Sequence, residues 1–370
     1  MTVFLLCGLL LLAPADTGPT ATLPPAQTDE YLEAVDLSAW DQFFSRMEET
    51  EPWQRPSDLF RTMTEGETDP ARLMAWLKSR GLADLPRAVS LFLLALITGV
   101  LAALFETLLD APSVPARRVL SVGLAALLLT RLLPLLQRGL ACFTGILSLA
   151  EVTVPLMTGA LLLLGSPQGA SVMGTLGELL INTCLGWMER SFVPLTLSAG
   201  VLRAADLTGD SVLSTISRML FAASRWGVRV IALGYSVAAA LMGTGAAGMD
   251  SLLLRTGRAA AGSLPLVGSI VSDSLGTTVA CLGLVKGALG RTGMLLALWQ
   301  ATGPAMALLL HGFGLKLASA LLLPLDQREM GTMLLALGEM LTVFGALILA
   351  AGAMVGVTVG GAAGCFGGGL

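Results

Sequence analysis

The apolar positions along the chain fall into two regimes. Residues 29–85 carry short apolar faces set among charges, and residues from 88 onward carry long runs of apolar residues. In "DEYLEAVDLSAWDQFFSRMEE", Leu32, Val35, Trp40, Phe43, Phe44 and Met47 fall roughly along one helical face, with acids on the other. A second helix is signalled by "DPARLMAWLKSRG". Asp69 can cap it, Pro70 has the fixed φ suited to the first position, and Gly81 can adopt the left-handed stop. Its apolar face is Leu73, Met74, Trp76 and Leu77. These two faces are expected to pack on each other or on a membrane surface. The alternative is that they dock a partner.

Beyond residue 87 the pattern changes to lipid grade. Ala88 to Phe105 is uncharged and eighteen residues long, enough to cross a hydrocarbon layer of about 30 Å. Further spans are predicted near 119–136, 146–164, 228–248, 292–310 and 333–359. Residues 172–205 are apolar but broken by Glu178, Asn182, Glu189, Arg190 and Pro194, so they form one long kinked span or two short ones. The expectation is six or seven spans over 88–360, in an all-α polytopic membrane protein. "SRMLFAASRWGVRV" places Arg218, Arg225 and Arg229 at helical spacing and reads as an amphipathic segment on the cytoplasmic surface.

The ends have their own signals. "VFLLCGLLLL" (3–12) is too short to span, and "APA" follows it as a small-x-small cleavage pattern. Residues 1–15 therefore read as a signal peptide, 16–28 as a Thr, Pro and Ala-rich tether, and 29–87 as an extracytoplasmic helical domain. At the other end, Gly352, Gly356, Gly360, Gly364 and Gly368 recur every four residues. Glycine at this spacing lets helix backbones approach closely, so Gly352, Gly356 and Gly360 are predicted packing positions. Residues 361–370 read as a glycine-rich tail.

Composition sharpens the class. The chain is 54% hydrophobic and 13% charged, where a soluble domain carries about 25% charged residues. Residues 16–87 hold 14 acids and 7 bases, a net of −7, and the chain after 87 holds 12 acids and 15 bases, a net of +3. An acidic translocated segment followed by the basic pair Arg117–Arg118 obeys the positive-inside rule. No tract is basic enough for nucleic acid. The five cysteines are scattered, without a CxxC pair, which predicts neither a disulfide framework nor a zinc site.

Little in the chain suggests catalysis. "GTGAAG" (243–248) matches the dinucleotide fingerprint, but it ends a lipid-grade run and no acid follows at the required distance. His311 is the only histidine. The expectation is a non-enzyme with no cofactor and no metal.

Charges within apolar sequence cost roughly 2.5–3.5 kcal/mol at a helix centre on insertion scales. Arg131, Glu151, Glu178, Glu189, Arg190, Lys286, Lys316 and Glu339 are therefore candidates for function or for structural pairing. Pro155 and Pro194 are 39 residues apart, as are Pro265 and Pro304. Such spacing can mark the two halves of a transporter with broken helices. "LPLVGSIVSDSLG" (264–276) concentrates Pro, Ser, Asp and Gly between apolar runs. Irregular backbone at membrane depth survives only when buried in protein or lining water. Residues 262–291 are thus expected to form an interfacial hairpin or a re-entrant segment.

Taken together, "VDLSAWDQFF", "PLVGSIVSD", Lys286 with Gly290 and Gly293 behind it, and "LKLASALLLPL" (315–325) resemble the stage III sporulation protein AE family of endospore formers. The resemblance implies a subunit of the channel complex between mother cell and forespore. It implies a place in the mother-cell membrane around the forespore, and as partners the other channel subunits, ring-forming proteins and a cytoplasmic ATPase, besides membrane lipid. Pro265, Gly268, Asp273, Lys286 and Lys316 are the expected lining or packing positions. The alternatives are a stand-alone secondary transporter and a non-conducting assembly scaffold.

Overall fold

The computed structural model describes residues 37–45, 56–65, 78–79, 81–108, 114–163, 167–205, 212–235, 268–325 and 327–362. All regular structure among them is helical. The helices are α1 (Ser38–Ser45), α2 (Pro56–Glu65), α3 (Leu85–Leu108), α4 (Val114–Leu163), α5 (Pro167–Val172), α6 (Glu178–Trp187) and α7 (Val193–Ala205). Then come α8 (212–235), α9 (Gly268–Leu322) and α10 (Arg328–Ala362). Four of these contain stretches long and apolar enough to cross a membrane: Leu85–Leu104, Ala126–Leu163, Gly287–Leu325 and Arg328–Gly360.

The sequence pattern suggested more breaks than the structure contains. The spans expected near 119–136 and 146–164 are one continuous helix, α4, of 50 residues. Pro134 and Pro155 lie inside it without ending it. Residues 172–205 form a helical rod from α5 to α7, interrupted by π turns at Met173–Gly177 and Met188–Phe192. Pro194 has no N–H for the carbonyl of residue 190 and its ring would clash there, and the second π turn surrounds that carbonyl. From Gly268 onward, the segment expected as a hairpin or re-entrant loop is the start of α9, which runs unbroken for 55 residues past Pro304. Pro265 and most of the helix expected at 69–81 lie outside the described residues, as do residues 1–28.

Helix order in space follows from close approaches. Gly81 faces Met306, Gly314 faces Ala88 and Phe92, and Gly99 faces Leu322, so α3 runs parallel to α9. Gly139 faces Leu308 and Phe344, and Cys142 and Gly145 both meet Gln300, so α4 runs antiparallel to α9. α10 returns antiparallel along α9 after a one-turn 3-10 helix at Leu323–Leu325.

The α9–α10 contact is the centre of the fold, and its residue choice is legible in one repeat. Gly331, Gly338, Gly345 and Gly352 recur every seven residues on α10, against Ser319, Gly312 and Ala305 on α9. A Cβ on Gly338 would lie 2.7 Å from the Gly312 carbonyl oxygen, and one on Gly345 would lie 2.9 Å from that of Ala305. One on Gly352 would strike Ala301, and Gly356 abuts Met294. A seven-residue repeat keeps one seam facing the partner helix along its whole length. Small side chains there bring the backbones together, so that dispersion contacts hold the pair. Ser319 adds a hydrogen bond, donating to the Gly331 carbonyl at 2.6 Å. Gly360 is buried near the end of α10, whereas Gly364 and Gly368 lie outside the described residues.

The N-terminal helices are part of this bundle. Trp40 of α1 is fully buried, and its indole N–H donates to Thr153 Oγ1 of α4 at 3.1 Å. Gly293 of α9 leaves room for its ring. Asp41 accepts from the Ser57 N–H at 3.2 Å, which satisfies one open donor at the start of α2, where Pro56 holds the first position. The apolar face around Trp40, expected to pack on a neighbouring helix or a membrane surface, therefore lies against α4 and α9, whereas the face at Leu73, Met74, Trp76 and Leu77 lies outside the described residues.

Candidate functional site: a polar junction in the bundle

Where Gly312 crosses Gly338, polar side chains from three helices meet. Lys316 of α9 is half-buried and donates from Nζ to Thr342 Oγ1 of α10 at 2.8 Å. Thr342 in turn donates back to the Gly338 carbonyl at 2.9 Å, one turn earlier. Glu339 of α10 faces Arg225 of α8, Oε1 to Nη1 at 3.7 Å. The Glu339 carboxylate and the Arg225 guanidinium both act on Lys316 electrostatically. Glycine at 312 and 338 permits this: the backbones close up, and the long Lys316 side chain passes directly over Gly338. His311 beside the crossing is buried, with Nδ1 2.7 Å from the Ala307 carbonyl oxygen of its own helix.

α8 is fixed to the bundle by polar groups on its inner face. Ser214, Ser217, Phe221, Ser224 and Tyr235 are buried. Ser224 shares a 2.6 Å hydrogen bond with Thr196 of α7. Tyr235 donates to the Met354 carbonyl at 2.7 Å and also contacts Thr358. Arg218 and Arg229 are exposed, and Arg225, also largely exposed, reaches Glu339.

A second polar region lies toward the far end of the bundle. Glu151, Thr158, Glu178 and Asn182 line an open cleft of about 610 Å³ between α4 and α6, beside Pro155. Both carboxylates are exposed.

The family model for stage III sporulation protein AE matches residues 57–364. The chain belongs to the stage III sporulation protein AE family. Neither the curated proteins nor the solved structures searched give a match. As a member of this family the chain is a sporulation protein, and its four long apolar helices fit a multi-pass membrane protein. The matched region runs from α2 through α10 and contains the glycine seam and the polar junction. Trp40 and α1 precede it.

Of the residues singled out from sequence, Lys316, Glu339 and Arg225 lie in the junction. Gly268, Asp273 and Lys286 lie on the first part of α9, where side chains are outside the described ones, and Pro265 precedes the described part of α9. Gly352 and Gly356 touch α9. Thr342, Gly312 and Gly338 were not singled out. The seven-residue glycine repeat would have found Gly338; Thr342 carries no sequence signal beyond lying one turn from it.

Two expected results follow. Lys316→Met keeps the apolar stem and leaves Thr342 bonded to its own helix, so stability should fall by no more than about 1.5 kcal/mol. Glu339→Gln removes a solvent-accessible pair and should cost about 1 kcal/mol or less. Thermal unfolding of the detergent-solubilised protein checks both, and a collapse of the fold in either variant contradicts the account.

Proposed function

We propose that this chain is a non-enzymatic membrane subunit of the channel complex linking mother cell and forespore, required for forespore development after engulfment. The match to the stage III sporulation protein AE family over residues 57–364 carries the reading. The reading places the protein in the mother-cell membrane around the forespore, with its N-terminal segment extracytoplasmic. Ring-forming proteins and a cytoplasmic ATPase are its expected partners. Leu162, Leu163, Leu179 and Trp187 are all more than half exposed and offer apolar surface for neighbouring subunits.

The chain's contribution in this reading is a rigid bundle. Three of the four prolines that motivated a broken-helix transporter, Pro155, Pro194 and Pro304, sit within continuous helical segments, and the fourth, Pro265, lies outside the described residues. The test is deletion of the gene in its sporulating host, with imaging of engulfed forespores. Forespores should shrink or stall after engulfment, and the wild-type gene should restore them. Normal spores would refute the reading. Asp273→Ala and Lys286→Ala then separate conduction from assembly: a scaffold tolerates both, and a lining role does not.

A further inference from the structure

The outer face of α8 is more apolar than its inner face. The buried positions Ser214, Ser217, Phe221 and Ser224 include three serines. On the outside, Val212, Met219, Trp226 and Leu233 recur every seven residues, each between 66% and 74% exposed. Ile216, Ala223 and Val230 fall between them and are exposed too. Steps of four and three residues thus alternate without a break from Val212 to Leu233. At 3.6 residues per turn this stripe lies directly opposite the buried face.

α8 stands along the bundle. Arg203 of α7 donates to the Ser214 carbonyl, Thr196 meets Ser224 and Phe192 meets Gly227, so α8 is antiparallel to α7. Arg225 meets Glu339 and Tyr235 meets Met354, so α8 is parallel to the long apolar α10. The stripe therefore runs in the direction of an apolar helix and faces away from the bundle.

A helix that faces lipid needs apolar residues but no register. A 3.5-residue repeat held for this length is the pattern of a helix that packs on another helix. The charges beside the stripe choose the partner. Arg218, Arg225 and Arg229 lie on one flank, each one residue before a stripe position. The other flank, one residue after, is Leu213, Leu220, Gly227 and Gly234 and carries no charge. An antiparallel pair of identical helices would set the arginine flanks against each other. A parallel pair sets each arginine flank against the uncharged flank of its partner. Copies inserted in one membrane share one orientation, and that arrangement is the parallel one.

Size fits as well. Ala222 and Ala223 leave a groove of about 570 Å³ beside Trp226, lined otherwise by Arg225 and Arg229. Long side chains on a helix lean toward its N-terminus. In a parallel pair the partner's Trp226 would lean to the level of Ala222 and Ala223 and fill this groove.

We propose that the Val212–Leu233 stripe of α8 pairs with the same stripe of a second copy of this chain, in parallel and in register. The pairing goes beyond the channel reading and stands without it.

The test is cysteine cross-linking of the full chain in membranes, expressed without other sporulation proteins and with its five cysteines replaced. Residues of a parallel seam meet their own copies, within the Cα separation of up to about 6.8 Å that a disulfide spans. Met219→Cys and Leu233→Cys place single cysteines on the stripe, and Arg218→Cys and Ile97→Cys place them off it, all at exposed positions. The fraction of disulfide-linked dimer should be several-fold higher at both stripe positions than at either control. Ala223→Trp, added to Met219→Cys, overfills the groove at an exposed position. It should lower the dimer yield several-fold and leave resistance to limited proteolysis unchanged. Stripe yields no higher than the controls, as lipid, a different subunit or another segment of this chain on the stripe would give, overturn the proposal. So does a yield that Ala223→Trp fails to lower.

Discussion

Trp40→Ala should release α1 from the bundle and cost about 3–5 kcal/mol, the range for truncating a large buried aromatic residue. Trp40 has no exposed surface, and its ring fills the space between α4 and α9 where Gly293 has no side chain. Its removal opens a cavity and takes the only donor that this indole gives to Thr153 Oγ1. Trp40→Phe keeps most of the apolar volume and loses the hydrogen bond, so about 0.5–1.5 kcal/mol from that bond is expected, with a smaller packing loss. The measurement is limited proteolysis paired with thermal unfolding at a fixed scan rate, because membrane proteins of this size seldom unfold reversibly. Cleavage within 37–45 should become fast in the alanine variant and stay slow in the phenylalanine one. Equal resistance in both would mean that α1 is held elsewhere.

The second large effect is expected from Gly338→Leu. A Cβ there would lie 2.7 Å from the Gly312 carbonyl oxygen and 3.2 Å from the Lys316 backbone nitrogen. These are backbone atoms, so no rotamer change relieves the clash and the helices must separate. Overpacking typically costs about 1–3 kcal/mol, and the upper end or beyond is expected where both obstacles are main chain. Separation also pulls Lys316 from Thr342 and disturbs the junction with Arg225. Gly159→Ala is the matched control, since nothing lies within 4 Å of its Cβ position. It should be neutral, or stabilising by up to about 1 kcal/mol through helix propensity. In the sporulating host, Gly338→Leu should fail to complement the deletion while Gly159→Ala succeeds.

These two sites show what the sequence made legible. Trp40 stood out as part of an apolar face in an acidic segment, and hydrophobic periodicity placed it on a helix. Periodicity names a face and not its partner, so Thr153, 113 residues away, had no signal. The long apolar runs gave the helical class and most of the helix positions. They misjudged continuity: Pro155 and Pro304 looked like breaks, yet α4 and α9 run through them. The polar residues of 264–276 likewise read as part of an interfacial hairpin or re-entrant segment, because local composition does not show that the chain is helical from Gly268 onward.

The glycine pattern was visible at the wrong period. The four-residue ladder from Gly352 onward drew attention to the C-terminus. The seam that binds α10 to α9 repeats every seven residues and begins at Gly331. Both series pass through Gly352. The seven-residue series keeps its register against Ser319, Gly312 and Ala305 from Gly331 to Gly345, and Gly352 then meets Ala301 and Ala297. Lys316 was legible as a costly charge in apolar sequence. Its partner Thr342 was not, because one threonine in a span is an ordinary residue.

The account rests on that antiparallel seam, and disulfide cross-linking in native membranes tests it most directly. A Cβ on Gly345 lies 3.2 Å from the Leu308 Cβ, close to the 3.5–4.5 Å of real disulfides. In a cysteine-free chain, the pair Leu308→Cys with Gly345→Cys should oxidise rapidly to an intramolecular bridge. The pair Leu308→Cys with Gly331→Cys, two heptads away, should stay reduced. Bridging of the second pair, or failure of the first under the same oxidant, would contradict the register on which the bundle and the junction both depend.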